Sequence, residues 1–178
     1  SSWDEVASLL ILMAGLPGTG KTTLARVLAS RLSGAVLSKD EIRHALFAQE
    51  DVEYSAAQDD FCLKIMLETA GYLLAKKADR HVFLDGRPFS RRYQIEDVLR
   101  AAARFHQSWQ ILECVCSEES ARTRLDCNPD PSHPARNRTF ALYLEVRARF
   151  EPITLPKVVI DTDQLPELCV EKALQVLR

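Results

Sequence analysis

No apolar run in this sequence approaches the twenty or so residues that a membrane-spanning helix needs, and no basic stretch leads into an apolar one near residue 1. No two cysteines stand in a CxxC pair. The five present (Cys62, Cys114, Cys116, Cys127 and Cys169) are an odd number and scattered. They read as buried free thiols rather than as a metal or redox site, which fits a reducing, cytoplasmic setting. Cys114 and Cys116 fall in an apolar run, where they would point to one face of a strand. There is no excess of positive charge. The 23 Lys and Arg against 25 Asp and Glu give a net charge of -2, so no global field draws in nucleic acid or an anionic membrane; a local basic patch stays open. There is also no internal repeat and no break in composition. With 47% apolar and 27% charged residues, the 178 residues suit one ordered domain spanning 1–178. The chain opens Ser-Ser-Trp, so residues 1–8 are expected to be a tag or trimmed segment and are set aside from fold reasoning.

Five short apolar runs stand out: Leu9–Ala14, Gly34–Ser38, His81–Asp85, Trp109–Cys116 and Lys157–Asp161. Unbroken runs of this length predict strands buried on both faces. Between them lie segments with apolar residues at three- and four-residue spacing, including "KTTLARVLASRL", "AAQDDFCLKIMLETAGYLLAKKA" and "SRRYQIEDVLRAAARF". Ser90 and Ser117 are placed to cap helices. Strands alternating with helices predict an α/β fold with a parallel sheet sandwiched by helices. The one stretch that suits neither element is "CNPDPSHPARN". Its prolines and polar residues make 127–138 a candidate lid loop.

The run Leu9–Ala14 feeds "GLPGTGKTT", which satisfies GxxxxGK[ST]. Glycine lets the backbone curl until its N–H groups face phosphate oxygens, and the helix that follows adds its positive end. Gly15, Pro17, Gly18, Thr19, Gly20, Lys21, Thr22 and Thr23 are therefore candidate nucleotide-binding residues. Lys21 would reach the β- and γ-phosphates and the Thr22 hydroxyl would ligate Mg²⁺. Strand before and helix after is the context this motif requires, and both are predicted.

The third run ends in Asp85, which matches a second metal-supporting position that holds Mg²⁺ through water; the alternative is a cap for the following turn. No NKxD-type guanine reader is present. Gly86 follows Asp85 where a remodelling ATPase of the AAA+ type carries a glutamate. Nothing obvious activates water. A candidate for activating a hydroxyl does exist: Asp40 in "SKDEIR", two residues past the second strand and facing the same crevice as the phosphate loop. Arg43 lies one helical turn on, where it could hold an anionic part of an acceptor. The alternative is that Asp40 only caps its helix and Arg43 is solvated.

Taken together, "GLPGTGKTT", "SKDEIR", "LDGRPFSRR", "CSEESARTRL" and "FEPITLPKVVIDT" resemble the small P-loop kinases grouped with polynucleotide 5′-hydroxyl kinases, chloramphenicol phosphotransferase and zeta-type toxins. The resemblance runs from Leu9 nearly to the end. It implies a P-loop fold with five parallel strands and a short lid, ATP and Mg²⁺, and transfer of the γ-phosphoryl group to a hydroxyl of a small molecule. By that likeness Asp40 matches the acceptor-activating aspartate, Arg43 an acceptor contact and Arg124 an arginine near the nucleotide. A lid arginine would close over the phosphates: Arg138, or else Arg136. Arg87 and Arg91 could line the acceptor side, while Arg122, Arg147 and Arg149 read as solvated. Three other readings stay open: a nucleoside monophosphate kinase, echoed in "LDGRPFSRRYQ"; a polynucleotide 5′-hydroxyl kinase; and a nucleotide-binding regulatory module without turnover. The sequence is silent on oligomeric state.

Overall fold

The computed structural model describes residues 7–127 and 138–178. The strands are β1 (Leu9–Ala14), β2 (Gly34–Ser38), β3 (His81–Asp85), β4 (Ser108–Val115) and β5 (Val158–Asp161). All pairings are parallel, and the sheet runs in the order β2-β3-β1-β4-β5. This is the expected α/β architecture. The helices are α1 (Lys21–Arg31), α2 (Lys39–Leu46), α3 (Ala56–Lys76), α4 (Arg92–Arg104), α5 (Glu118–Arg122), α6 (Phe140–Arg149) and α7 (Pro166–Leu177). A 3₁₀ turn covers Gln49–Asp51, and a π-helical turn, Thr123–Cys127, extends α5.

The central strand β1 shows why the runs are unbroken. Leu10 and Leu12 point to one face, among Leu63, Met66, Ile95 and Val98 of α3 and α4. Ile11 and Met13 point to the other, among Leu24 and Leu28 of α1 and Val170 and Leu174 of α7. Alternate residues serve two cores, so both must be apolar. Burial of each such side chain contributes about 1.5–3 kcal/mol.

Two local expectations change. Helix α4 begins at Arg92 with Arg91 in the cap position, not Ser90. Glu151 replaces the serine: its carboxylate accepts from the Arg92 N–H at 3.1 Å, and its own N–H donates to the Ser90 carbonyl at 2.8 Å. A carboxylate at a helix N-terminus satisfies an open donor and meets the positive end of the dipole. Cys116 lies beyond the end of β4 and is half-buried, unlike the buried Cys114 within the strand. Ser117 caps α5 as expected, accepting from the Ser120 N–H at 3.1 Å. Cys62, Cys114, Cys116 and Cys169 are free thiols, and burial pushes Cys114 up to about 12, far from reactivity.

The strand order sets the site. Beside β1 lies β3, so the loop after one and the aspartate ending the other meet at the same sheet edge. On the far side of β3 is β2, with Ser38 in register with Asp85. The first turn of α2 therefore starts next to Asp85.

Candidate active site

A cavity of about 660 Å³ opens over these strand ends. Its floor is the turn between β1 and α1. Gly18 and Gly20 have φ of 78° and 85°, a left-handed backbone that glycine adopts without strain. Gly15 is required for a different reason. A Cβ there would lie 2.3 Å from the Cys114 carbonyl oxygen, so only glycine lets the turn press against β4. Gly15 anchors the turn from beneath, while Pro17 to Thr23 line the cavity itself. The Lys21 ammonium donates to the Gly15 and Leu16 carbonyls at 2.7 and 2.8 Å. Burial is the main cause that lowers its pKa to about 8, against the pull of Asp85.

The Thr22 hydroxyl donates to Asp85 Oδ2 at 2.7 Å. Asp85 is 1% exposed, and its other oxygen, Oδ1, has no hydrogen-bond partner among the described residues. A buried, half-satisfied carboxylate beside a hydroxyl is an all-oxygen donor pair of the kind a hard divalent cation takes. No cluster of three His, Cys, Asp or Glu side chains occurs among the described residues. Mg²⁺ takes one or two protein oxygens and completes its shell with water and substrate phosphate.

Asp40 lies in the same cavity, at the start of α2. It does not cap the helix: the Ser38 hydroxyl does, accepting from the Glu41 N–H at 3.3 Å. The Asp40 side chain is instead buried and accepts from Arg43 Nη1 at 3.0 Å. Burial raises the pKa of its carboxyl, partly offset by Lys39 and Arg43. Arg43 is among the most buried large side chains, the opposite of a solvated residue. Its Nε donates to Gln58 at 3.2 Å, and its Nη2 donates to Asp59. The guanidinium is thus a strut that fixes Asp40 against α3. Gly86, with φ of 94°, packs against this corner. A Cβ there would stand 3.1 Å from Asp40 Oδ2 and 3.1 Å from the Lys39 nitrogen.

The expected arginines separate. Arg124 lines the cavity and ties its edge together, donating to the Gly18 carbonyl at 3.1 Å and to Thr162 at 3.0 and 2.9 Å. Thr162, just past β5, donates in turn to the Thr19 carbonyl at 2.8 Å. Arg138 lines the cavity close enough that its charge helps lower the Lys21 pKa. Arg136, and residues 128–137 of the expected lid loop, lie outside the described residues. Arg87 and Arg91 do not line the cavity. Arg87 is buried and donates to Asp60 at 2.6 Å, and Arg91 pairs on the surface with Glu151 at 3.1 Å. Arg122, Arg147 and Arg149 are all exposed: Arg147 pairs with Glu118, Arg122 packs over the Phe140 ring, and Arg149 stands at the cavity rim. Sequence reasoning did not single out Lys39, Tyr54 and Asp59. The first sat unread inside "SKDEIR"; the other two carry no motif.

A family model described as an AAA domain matches residues 10–153. No curated protein matches the sequence. Among solved structures, a sugar kinase from Janibacter sp. is 18% identical, with a TM-score of 0.66 over 94% of this chain and 93% of that one. The Mycobacterium tuberculosis APS kinase is 18% identical, with a TM-score of 0.70 over 96% and 98%. Kti12 from Chaetomium thermophilum is 16% identical, with a TM-score of 0.65 over 95% and 99%. At these identities the likeness is one of fold alone.

Proposed function

The chain belongs to the AAA-domain family, and from that premise we propose that it is an ATP- and Mg²⁺-dependent kinase whose acceptor is a hydroxyl of a small molecule. The observation that carries the reading is the corner made by Asp40 and Gly86. A remodelling ATPase needs a glutamate after its metal-supporting aspartate to activate water. Here that position is glycine, in a left-handed backbone, pressed against Asp40. The carboxylate that could activate a nucleophile comes from α2 instead, across the cavity from the phosphate loop.

Each residue then has a task. The turn from Pro17 to Thr23 cradles the phosphates, and Lys21 leaves the Gly15 and Leu16 carbonyls to meet them. Thr22 and Asp85 would hold Mg²⁺, which when bound supplies positive charge to the transferring phosphate. Asp40 accepts a hydrogen bond from the acceptor hydroxyl and takes its proton as the oxygen bonds to the γ-phosphorus. The bond from that phosphorus to the bridging oxygen breaks, and ADP leaves with the electron pair. Burial of Asp40 raises its proton affinity in the direction a base needs. Arg43 is a positioning residue, and Arg138 offsets the charge that builds on the phosphoryl oxygens. Arg124 lies where it can flank the nucleotide beside Thr162.

The test is transfer from γ-labelled ATP to hydroxyl compounds by wild type and Asp40→Ala. The expected result is label on an organic hydroxyl and a loss of about 10²–10⁴-fold in the variant. Wild-type transfer by Asp40→Ala overturns the mechanism. The same assay separates the other readings. Robust transfer to AMP, CMP, GMP or UMP indicates a nucleoside monophosphate kinase, and transfer to a 5′-hydroxyl oligonucleotide a nucleic-acid kinase. Tight ATP binding with no transfer indicates a regulatory module.

A further inference from the structure

The two sides of the cavity carry charge differently. On the phosphate side the cavity is lined by Lys21, Arg124 and Arg138 and by one carboxylate, Asp85. On the opposite wall two cations meet two carboxylates. Lys39 Nζ lies 3.0 Å from Asp59, Arg43 Nη1 lies 3.0 Å from Asp40, and Arg43 Nη2 reaches Asp59. Lys39 and Arg43 are only 7% and 1% exposed, so their charges are met by these carboxylates more than by water, although both line the cavity.

Resting on the kinase reading, we propose that the acceptor is an electrically neutral polyhydroxyl compound, a sugar or sugar alcohol, rather than an anion or an amine. A carboxylate, sulfate or phosphate on the acceptor would bring a third negative charge to a wall whose cations are already matched. An ammonium would bring a third positive one. Either charge would be stripped of water with no partner left for it, which is costly in a buried setting. A polyol brings no net charge. Its hydroxyls donate to Asp40 and to the part-exposed Asp59 and accept from the Lys39 ammonium. Tyr54 adds a flat apolar surface at the same wall, its ring centroid 5.1 Å from the Arg43 guanidinium and the residue 45% exposed. The C–H face of a sugar ring can lie on such a surface.

The test compares kcat/KM for the full chain with Mg²⁺ and ATP across acceptors matched on one skeleton, a hexose and its alditol, the aldonate and the hexosamine, with a 5′-hydroxyl oligonucleotide as a polyanionic comparison. The expected result is at least a tenfold preference for a neutral member over each charged analogue. Asp59→Asn leaves one cation unmatched and is expected to narrow the gap to the aldonate at least fivefold, with Asp59→Glu restoring it. Lys39→Gln, a second variant in case the first fails to fold, is expected to narrow the gap to the hexosamine instead. Equal or greater rates with a charged analogue overturn the proposal and leave the kinase reading standing. Transfer to no organic acceptor, with ATP binding intact, overturns both.

Discussion

The phosphate turn and the wall opposite it are built on different principles. The turn is one continuous stretch, residues 15–23, and is shaped by backbone geometry: left-handed glycines and a helix start. The wall is assembled from α2, the segment after it and the start of α3, and is held by side-chain ion pairs. A site made of backbone serves any nucleoside triphosphate. A site made of paired charges rejects most small molecules and is therefore where specificity resides.

The largest effect expected from this contrast is on the turn. Lys21→Ala removes the charge that meets the phosphates and is expected to lower kcat by about 10³-fold in a transfer assay. A loss below tenfold would mean that the turn is not the donor site. The wall predicts a split response. In Arg43→Met, Asp40 and Asp59 lose their shared partner, and stability is expected to drop by roughly 3–5 kcal/mol in denaturant unfolding. Transfer should fall further than ATP affinity does, because Arg43 pairs with Asp40 on the wall opposite the turn. Equal losses in both would merge the two regions.

The smallest effect is one of pH. Lys21 in the ligand-free protein has a pKa lowered to about 8 by burial, and bound triphosphate must raise it. Below pH 8 the lysine is charged in both states and affinity is flat. Above it, binding takes up a proton, so ATP affinity is expected to weaken by at most about tenfold per pH unit. Calorimetry in buffers of different ionisation enthalpy should show that uptake. The acceptor side has the opposite limb. The Asp40 pKa is raised above its ordinary 3.8, so kcat/KM for the acceptor should fall on acidification at a higher pH than an ordinary carboxylate would give.

These differences explain what the sequence made legible. The inner strands could be read because they serve two cores and so carry unbroken apolar runs, whereas β5 packs only one face, with Val159 exposed. The phosphate turn could be read because its residues are adjacent in the chain. Asp40 was found through its place after β2, but its freedom from capping depends on Ser38, and Asp59, which shares Arg43 with it, stands 19 positions away on another helix. Arg87 looked like an acceptor contact because it follows Asp85; only the fold reveals that Asp60 turns it aside. Ion pairs between helices leave no periodicity and no spacing rule, so Lys39 and Asp59 carried no signal, and Tyr54 lies in the segment between α2 and α3 with no motif around it.

The central claim is that phosphate passes from the turn to a hydroxyl held by Asp40. Its most direct test is single-turnover transfer from γ-labelled ATP by wild type and Asp40→Asn, with ATP dissociation constants measured on both. The account predicts label on an organic hydroxyl in wild type, a drop of about 10² or more in the variant, and ATP affinity within a few-fold of wild type. Undiminished transfer in Asp40→Asn, or label released only to water in both proteins, would contradict it.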